Sequence, residues 1–287
     1  PAPTPTPTPR PMAPNGRSAP QVPTDAIELA QQLTEAESGL RDENTPAGQQ
    51  AELGHLQQVL YRKLAREPTW DAAVLPLVPE AYRRVVELQV EGRRALTGLG
   101  TGFATADFVP AWEVIQPEPA ASLLDHYREA EDATGIEWEY LAAINLLETG
   151  FGRIAGLSGA GAQGPMQFLP STWEEVGVGS ITDPHDAILG AARYLVRRGG
   201  PADMDSAVLG YNNSHEYLGS VSAYAELLRV DPAAFTGLYN WEIYFFTDAG
   251  DVWLPVGYRS EVSIDVDTYL AEAPWSTPDL AMLSSEG

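Results

Sequence analysis

Leu141 to Leu147 is an almost unbroken apolar run, and it ends in Glu148-Thr149-Gly150 at the head of a glycine-rich stretch, Gly150 to Gly164. On a 3.6-residue period Ile144 lies at i−4 and Leu141 at i−7 from Glu148, so the carboxyl belongs to the apolar stripe and is expected to sit against a core. No Lys or Arg occurs between Arg128 and Arg153. No cation close in sequence therefore holds this side chain ionised, and desolvation should raise its pKa. A carboxyl that keeps its proton near neutrality can act as a general acid. The bland alternative is a Glu at a helix end whose carboxylate is simply hydrated.

The chain of 287 residues exceeds one small core and implies roughly two domains. No apolar run approaches the roughly 20 residues of a membrane span. The sequence opens on Pro1 in place of a methionine and charged region, the pattern expected of a processed or trimmed chain. Cysteine is absent, so neither disulfides nor thiolate metal sites are available. With 17 basic against 40 acidic residues the net charge is −23, which argues against nucleic acid or anionic membrane as partners. A neutral or peptide-bearing glycan is easier to accommodate.

Composition shifts divide the chain into four blocks. Residues 1–24, rich in Pro and Thr, are expected to be a disordered linker. Residues 25–118 form a helical region: a helix from Asp25, then Ala51 to Arg66 with Leu53, Leu56, Val59, Leu60 and Leu64 on one stripe, then Pro79 to Leu96 with Tyr82, Val85, Val86, Leu88 and Val90. The latter two, separated by Pro68, Pro76 and Pro79, are expected to pair antiparallel in a packing or positioning role. In residues 119–235, Thr134 with Glu137 and Ser171 with Glu174 have capping-box spacing, and Asp183-Pro184 starts an alanine-rich helix ended by Gly199 and Gly200. In residues 236–287, two aromatic, β-prone runs flank Asp248-Ala249-Gly250-Asp251, a hairpin pattern whose rings close a core or stack on sugar. Of the four histidines, His55, His126, His185 and His215, none has metal-ligand spacing, so surface or cap roles are expected and no metal or other cofactor is implied.

Three ordered segments carry a resemblance over about residues 120 to 230: Glu148-Thr149-Gly150, then Gly161 through Gln163-Gly164-Pro165-Met166-Gln167-Phe168 to Trp173, then Gly210-Tyr211-Asn212 and Tyr217. Together they resemble the soluble lytic transglycosylases, relatives of goose-type lysozyme, and the chain as a whole looks like their exported actinobacterial members. The resemblance implies a mainly α fold: a lysozyme-like helical catalytic domain with an N-terminal helical pair and a short aromatic-rich C-terminal extension. It implies a monomer acting outside the cell or on the cell wall.

For Glu148 the resemblance implies the only catalytic carboxylate, acid first and base afterwards. An ordinary glycosidase needs a second carboxylate at about 5 to 9.5 Å, and no motif supplies one; Glu174, Glu175, Asp183 and Asp186 are the nearest acidic candidates. In the family the substrate's own acetamido group takes that part, and its 6-hydroxyl attacks to leave a 1,6-anhydromuramoyl end. The resemblance further implies glycan contacts from Ser158, whose loop is one residue longer than usual, and from Gln163, Gly164, Met166 and Gln167. Tyr211 is expected to orient or polarise the Glu, Asn212 to bind substrate or brace the loop, and Tyr217 to line the cleft. Thr149 stands where the family has Ser, and Pro165 where it has a small aliphatic residue. The competing readings are a true peptidoglycan hydrolase of the lysozyme type and a wall-binding protein that kept the groove without turnover.

Overall fold

The computed structural model describes residues 11–100, 106–247 and 250–276. Residues 1–10 of the expected linker and Asp248-Ala249 of the expected turn lie outside the described residues. The protein is mainly helical and lysozyme-like, with three short two-stranded antiparallel ladders among the described residues.

Helices α1 (Ala26–Arg41) and α2 (Ala47–Arg66) are followed by a 3₁₀ turn at Pro68–Trp70, a short α3 (Asp71–Val74), and α4 (Glu80–Gly100). Asp25 caps α1 by accepting the amides of Ile27 and Glu28. The expected pair, α2 and α4, does pack together, yet it does not stand alone. The core runs without a gap from Leu29, Leu60 and Val86 through Ile144 and Val221 to Leu238, across the sequence boundary at residue 118. Helix α4 lies along α10 (His215–Val230), where Gly92 meets the Tyr224 ring and Gly219 meets Ala95. Small residues at both crossings let the two backbones approach closely.

Between α4 and α10 come β1 (Phe108–Val109), β2 (Glu113–Val114), α5 (Ala120–Thr134), α6 (Trp138–Thr149), β3 (Ile154–Ala155), α7 (Pro170–Val176), α8 (Pro184–Arg197) and α9 (Met204–Tyr211). After α10 follow α11 (Ala234–Tyr239), β4 (Ile243–Thr247), β5 (Gly250–Leu254), β6 (Ile264–Asp265) and α12 (Val266–Glu272). Strands β4 and β5 form the expected hairpin, with Tyr244 opposite Trp253. The tail aromatics mostly close a core: Trp253 is fully buried, and Tyr258 and Tyr269 join Val109, Val252 and Leu254 in a second cluster.

Three local expectations are corrected. Thr134 ends α5 and donates to the Ala130 carbonyl, while Glu137 precedes α6 without a side-chain cap; Gly135 in the left-handed region (φ 78°) breaks the chain between them. Ser171 lies inside α7, because Pro170 takes the first helical position and shifts the cap to Leu169. His55 is buried, with Nε2 2.7 Å from the Tyr244 hydroxyl and its ring 4.6 Å from that of Trp253. By contrast Asp183 caps α8 as expected, accepting the Asp186 amide.

Residues 11–24 lie against the body: Ala13 and Val22 are buried, and Arg17 pairs with Glu242 and donates to the Ala51 carbonyl at 2.9 Å. The hairpin is tied to α2 by a second ionic knot, in which Asp251, 4% exposed, takes Arg62 Nε at 2.7 Å and Arg66 at 2.9 Å. Removing one partner of a buried pair strands the other. Asp251→Ala should therefore cost about 3–5 kcal/mol in denaturant unfolding; a loss under about 1 kcal/mol would show that the knot is screened by solvent.

Candidate active site

Helix α6 is apolar almost all round, and Leu141 through Leu146 are buried. It stops abruptly because three successive residues, Gly150 (φ 60°), Phe151 (φ 66°) and Gly152 (φ 87°), adopt the left-handed region. The Gly150 and Phe151 amides fold back onto the carbonyls of Leu146 and Asn145. Glu148 thus sits in the last turn, partly buried, at the mouth of the following loop.

That loop is held by α6 itself. The Pro165 carbonyl accepts from Asn145 Nδ2 at 2.8 Å and from Thr149 Oγ1 at 2.6 Å, and Thr149 Oγ1 also accepts the Gly152 amide at 2.9 Å. Asn145 in turn accepts the Tyr127 hydroxyl at 2.6 Å. The Thr149 hydroxyl therefore has a defined task, and Pro165 serves through its carbonyl, which a proline still offers. Across the loop, Gln163 and Phe168 exchange both backbone hydrogen bonds, and the Gln167 amide closes a turn onto Gly164. Gly164 has φ 73°, and a Cβ there would fall 1.9 Å from the Ile181 carbonyl oxygen. That neighbouring backbone by itself requires a glycine here.

The site residues are distributed as follows. Tyr217, at the start of α10, donates its hydroxyl to Glu148 Oε1 at 2.6 Å. The expectation that Tyr211 orients the acid is corrected: its hydroxyl donates to the Met166 carbonyl at 2.6 Å, so it clamps the loop instead. It remains near enough for the charge of Glu148 to disfavour its phenolate. Met166 is fully buried and packs in the core, where a cleft-lining side chain was expected. Gln167 is half-buried at φ 49°, its amide nitrogen donating to the Gly164 carbonyl at 3.0 Å. Ser158 Oγ accepts the amides of Ala160 and Ala162 and shapes the preceding turn. Asn212 is exposed just after α9.

Glu148 takes part in no ion pair among the described residues. The nearest arginine in sequence, Arg153, donates to the carbonyls of Gly150 and Tyr239. Burial pushes the Glu148 carboxyl up to about 7, against a smaller lowering by the Tyr217 hydrogen bond. None of Glu174, Glu175, Asp183 and Asp186 is hydrogen-bonded to it; Asp183 caps α8, Glu175 pairs with Arg197, and Asp186 takes the Ser180 amide. Asp183, His185 and Asp186 offer ligand atoms within 4.8 Å of one another, but His185 also bonds Glu129 at 3.1 Å and every member has a structural partner. Asn145 and Tyr127 escaped the sequence reading. A lone amide within an apolar run, four residues before Thr149, was the available signal.

Residues 125–226 match the transglycosylase SLT domain. The likeness to that family spans this segment of the chain. Its SLT domain opens inside α5 and closes inside α10, and contains α6, the loop and both tyrosines. The chain is also similar to membrane-bound lytic murein transglycosylase F of Thiobacillus denitrificans (strain ATCC 25259 / T1), 36% identical over 80 residues. That match covers 28% of this chain and 17% of the relative's length. No solved structure matches the chain significantly. No helix among the described residues is long and apolar enough to cross a membrane.

Three outcomes follow from the site. Because the folded pKa of Glu148 is raised, the native state favours the protonated form: that preference costs little at pH 4, accrues as pH rises from the ordinary value of 4.5, and is complete above about 7. Glu148→Gln should therefore stabilise the fold at pH 8, by up to about 3 kcal/mol, and leave it unchanged at pH 4. Tyr217→Phe removes the lowering hydrogen bond and should move the Glu148 titration, followed by NMR of its carboxyl carbon, to higher pH; an unmoved or lower midpoint refutes this assignment. Gly164→Ala cannot be absorbed by a flexible side chain, since the obstacle is backbone, and should lower the melting temperature and disorder the loop signals together.

Proposed function

We propose that the protein is a lytic murein transglycosylase that cleaves the β-1,4 bond between N-acetylmuramic acid and N-acetylglucosamine in peptidoglycan, with Glu148 as sole acid and base. The carrying observation is the state of Glu148: desolvated, with its carboxyl pushed up to about 7, and hydrogen-bonded among the described residues through Oε1 alone. Tyr217 donates to Oε1, so the acid proton belongs on Oε2, which has no partner among the described residues. From there it passes to the glycosidic oxygen as the bond to the anomeric carbon breaks. The substrate's acetamido oxygen stabilises the positive carbon, and the ionised Glu148 then takes the proton of the 6-hydroxyl as that oxygen closes on the anomeric carbon. The product is a 1,6-anhydromuramoyl end.

No motif of the sequence carries a second carboxylate, which favours this route over a two-carboxylate hydrolysis. The name of the Thiobacillus relative supports the same substrate. In this reading the half-buried Gln167, which can both donate and accept, and the exposed Asn212 recognise acetamide and hydroxyl groups of the glycan, while Gln163 and Ser158 shape the loop that lies along it. The protein works as a monomer at the cell wall, outside the membrane, on glycan strands.

Digestion of purified wall followed by mass spectrometry tests the proposal. Anhydro-muropeptides, one water lighter than reducing ends, are expected, and reducing ends alone would assign a lysozyme-type hydrolase. Glu148→Gln should lower wall lysis by about 10⁴ or more, at or beyond the upper end for general acid catalysis, with the fold intact. Equal lysis by wild type and variant would leave a wall-binding protein.

A further inference from the structure

Immediately beside the acid, Leu147 and Gly150 form part of the wall of a cleft of about 170 Å³. Much of the rest of that wall comes from outside the SLT domain: Arg62 and Arg93 of the N-terminal helices, Trp112 before β2, and Glu242 at the start of the hairpin. Three charged side chains belong to this cleft, and two are committed elsewhere. Arg62 is bound to Asp251, and Glu242 is paired with Arg17 and accepts Trp253 Nε1 at 3.2 Å. Arg93 is half-buried and has neither an ion pair nor a hydrogen bond among the described residues. Its neighbour Arg94, by contrast, holds Asp71 through both terminal nitrogens at 2.7 and 2.9 Å.

A second group in the same cleft is also short of a partner. Tyr224 is fully buried, its ring against Gly92, and its hydroxyl has no hydrogen-bond partner among the described residues. Buried hydroxyls are normally satisfied, so one without a partner calls for an acceptor from outside the chain. It is close enough to Arg93 for that charge to favour its phenolate, against burial that pushes the hydroxyl up to about 12. A guanidinium beside an unpaired hydroxyl donor matches a carboxylate, which accepts from both. Trp112, half-buried with its ring edge against Phe245 at a centroid distance of 5.3 Å, offers an apolar wall to the chain that carries the carboxylate.

We propose that this cleft receives a free carboxylate of the peptide carried by the glycan, with Arg93 as its anchor and the Tyr224 hydroxyl as second donor, so that residues outside the SLT domain select peptide-bearing strands. The choice of a glycan-borne peptide, over other carboxylates, rests on the transglycosylase reading of Glu148 and on the cleft beginning at Leu147, next to the acid.

The test separates the two ideas by using binding in place of turnover. Calorimetry compares full-length Glu148→Gln protein with Glu148→Gln/Arg93→Met protein, against a soluble muropeptide with free peptide carboxylates and against the same compound with those carboxylates amidated. Arg93→Met should weaken binding of the free-carboxylate compound about tenfold or more, as expected for a lost charged hydrogen bond, and alter that of the amidated one by less than about twofold. Arg93→Lys, which keeps the charge and loses the fork, should fall between. Equal affinity of parent and Arg93→Met for the free-carboxylate compound overturns the proposal, as does an equal loss on both compounds. Whether wild-type protein cleaves wall is read separately, so a failed catalytic assignment would leave the binding comparison interpretable.

Discussion

The Pro165 carbonyl is the point on which the site's geometry turns. It receives two buried side-chain donors from α6, Asn145 and Thr149, and it lies in the loop whose next carbonyl, that of Met166, receives Tyr211 from α9. Three hydroxyl or amide donors thus bolt a glycine-containing loop to two helices at adjacent peptide units. Each would cost about 1–3 kcal/mol if left buried without its acceptor, so the loop and the end of α6 have one mutual position. The acid occupies that end. Its placement follows from hydrogen bonds that never touch it, and the one that does, from Tyr217, arrives from a different helix.

The electrostatic side of the site is a matter of what is kept away. Arg153 is close in sequence yet turned to the carbonyls of Gly150 and Tyr239, with its guanidinium over the Tyr239 ring. Had it faced the other way, its charge would have pulled the carboxyl back toward an ordinary acidity and removed the proton on which the proposed acid step depends. Spending that cation on helix-end carbonyls satisfies the termini of α6 and α11 and leaves Glu148 governed by burial. The same economy holds at the hairpin, where Arg17, Arg62 and Arg66 are consumed by Glu242 and Asp251.

Much of this was legible in the residues. The apolar run into Glu148, the missing cations around it and the proline-led cap at Asp183 are local signals, and local signals survive folding. The N-terminal stripes and the hairpin were legible for the same reason. What was not legible depended on partners distant in sequence. Tyr211 and Tyr217 are six residues apart and chemically identical; only the packing of α10 against α6 decides that Tyr217 meets the carboxylate while Tyr211 meets a carbonyl. Gly164 looked like a concession to a ligand, but the crowding comes from Ile181. Thr134 and Glu137 had the spacing of a cap, and a left-handed glycine between them assigned each to a different helix end. His55 carried no sign of burial, since its covering, Tyr244 and Trp253, lies nearly two hundred residues on.

Helix α4 gives these observations a wider meaning. It belongs to no part of the matched family segment, yet it lies along α10, with Gly92 beneath Tyr224 and Ala95 beneath Gly219, two residues from Tyr217. The tyrosine that grips the acid is therefore steadied from behind by a helix more than a hundred residues upstream. A fragment cut to residues 125–226 would sever α10 before its last turn and bare its rear flank, leaving the hydrogen bond to Glu148 on an unsupported scaffold. In this protein the folded unit is larger than the recognisable one, and part of the surplus backs the helix that carries Tyr217 through a seam of small residues.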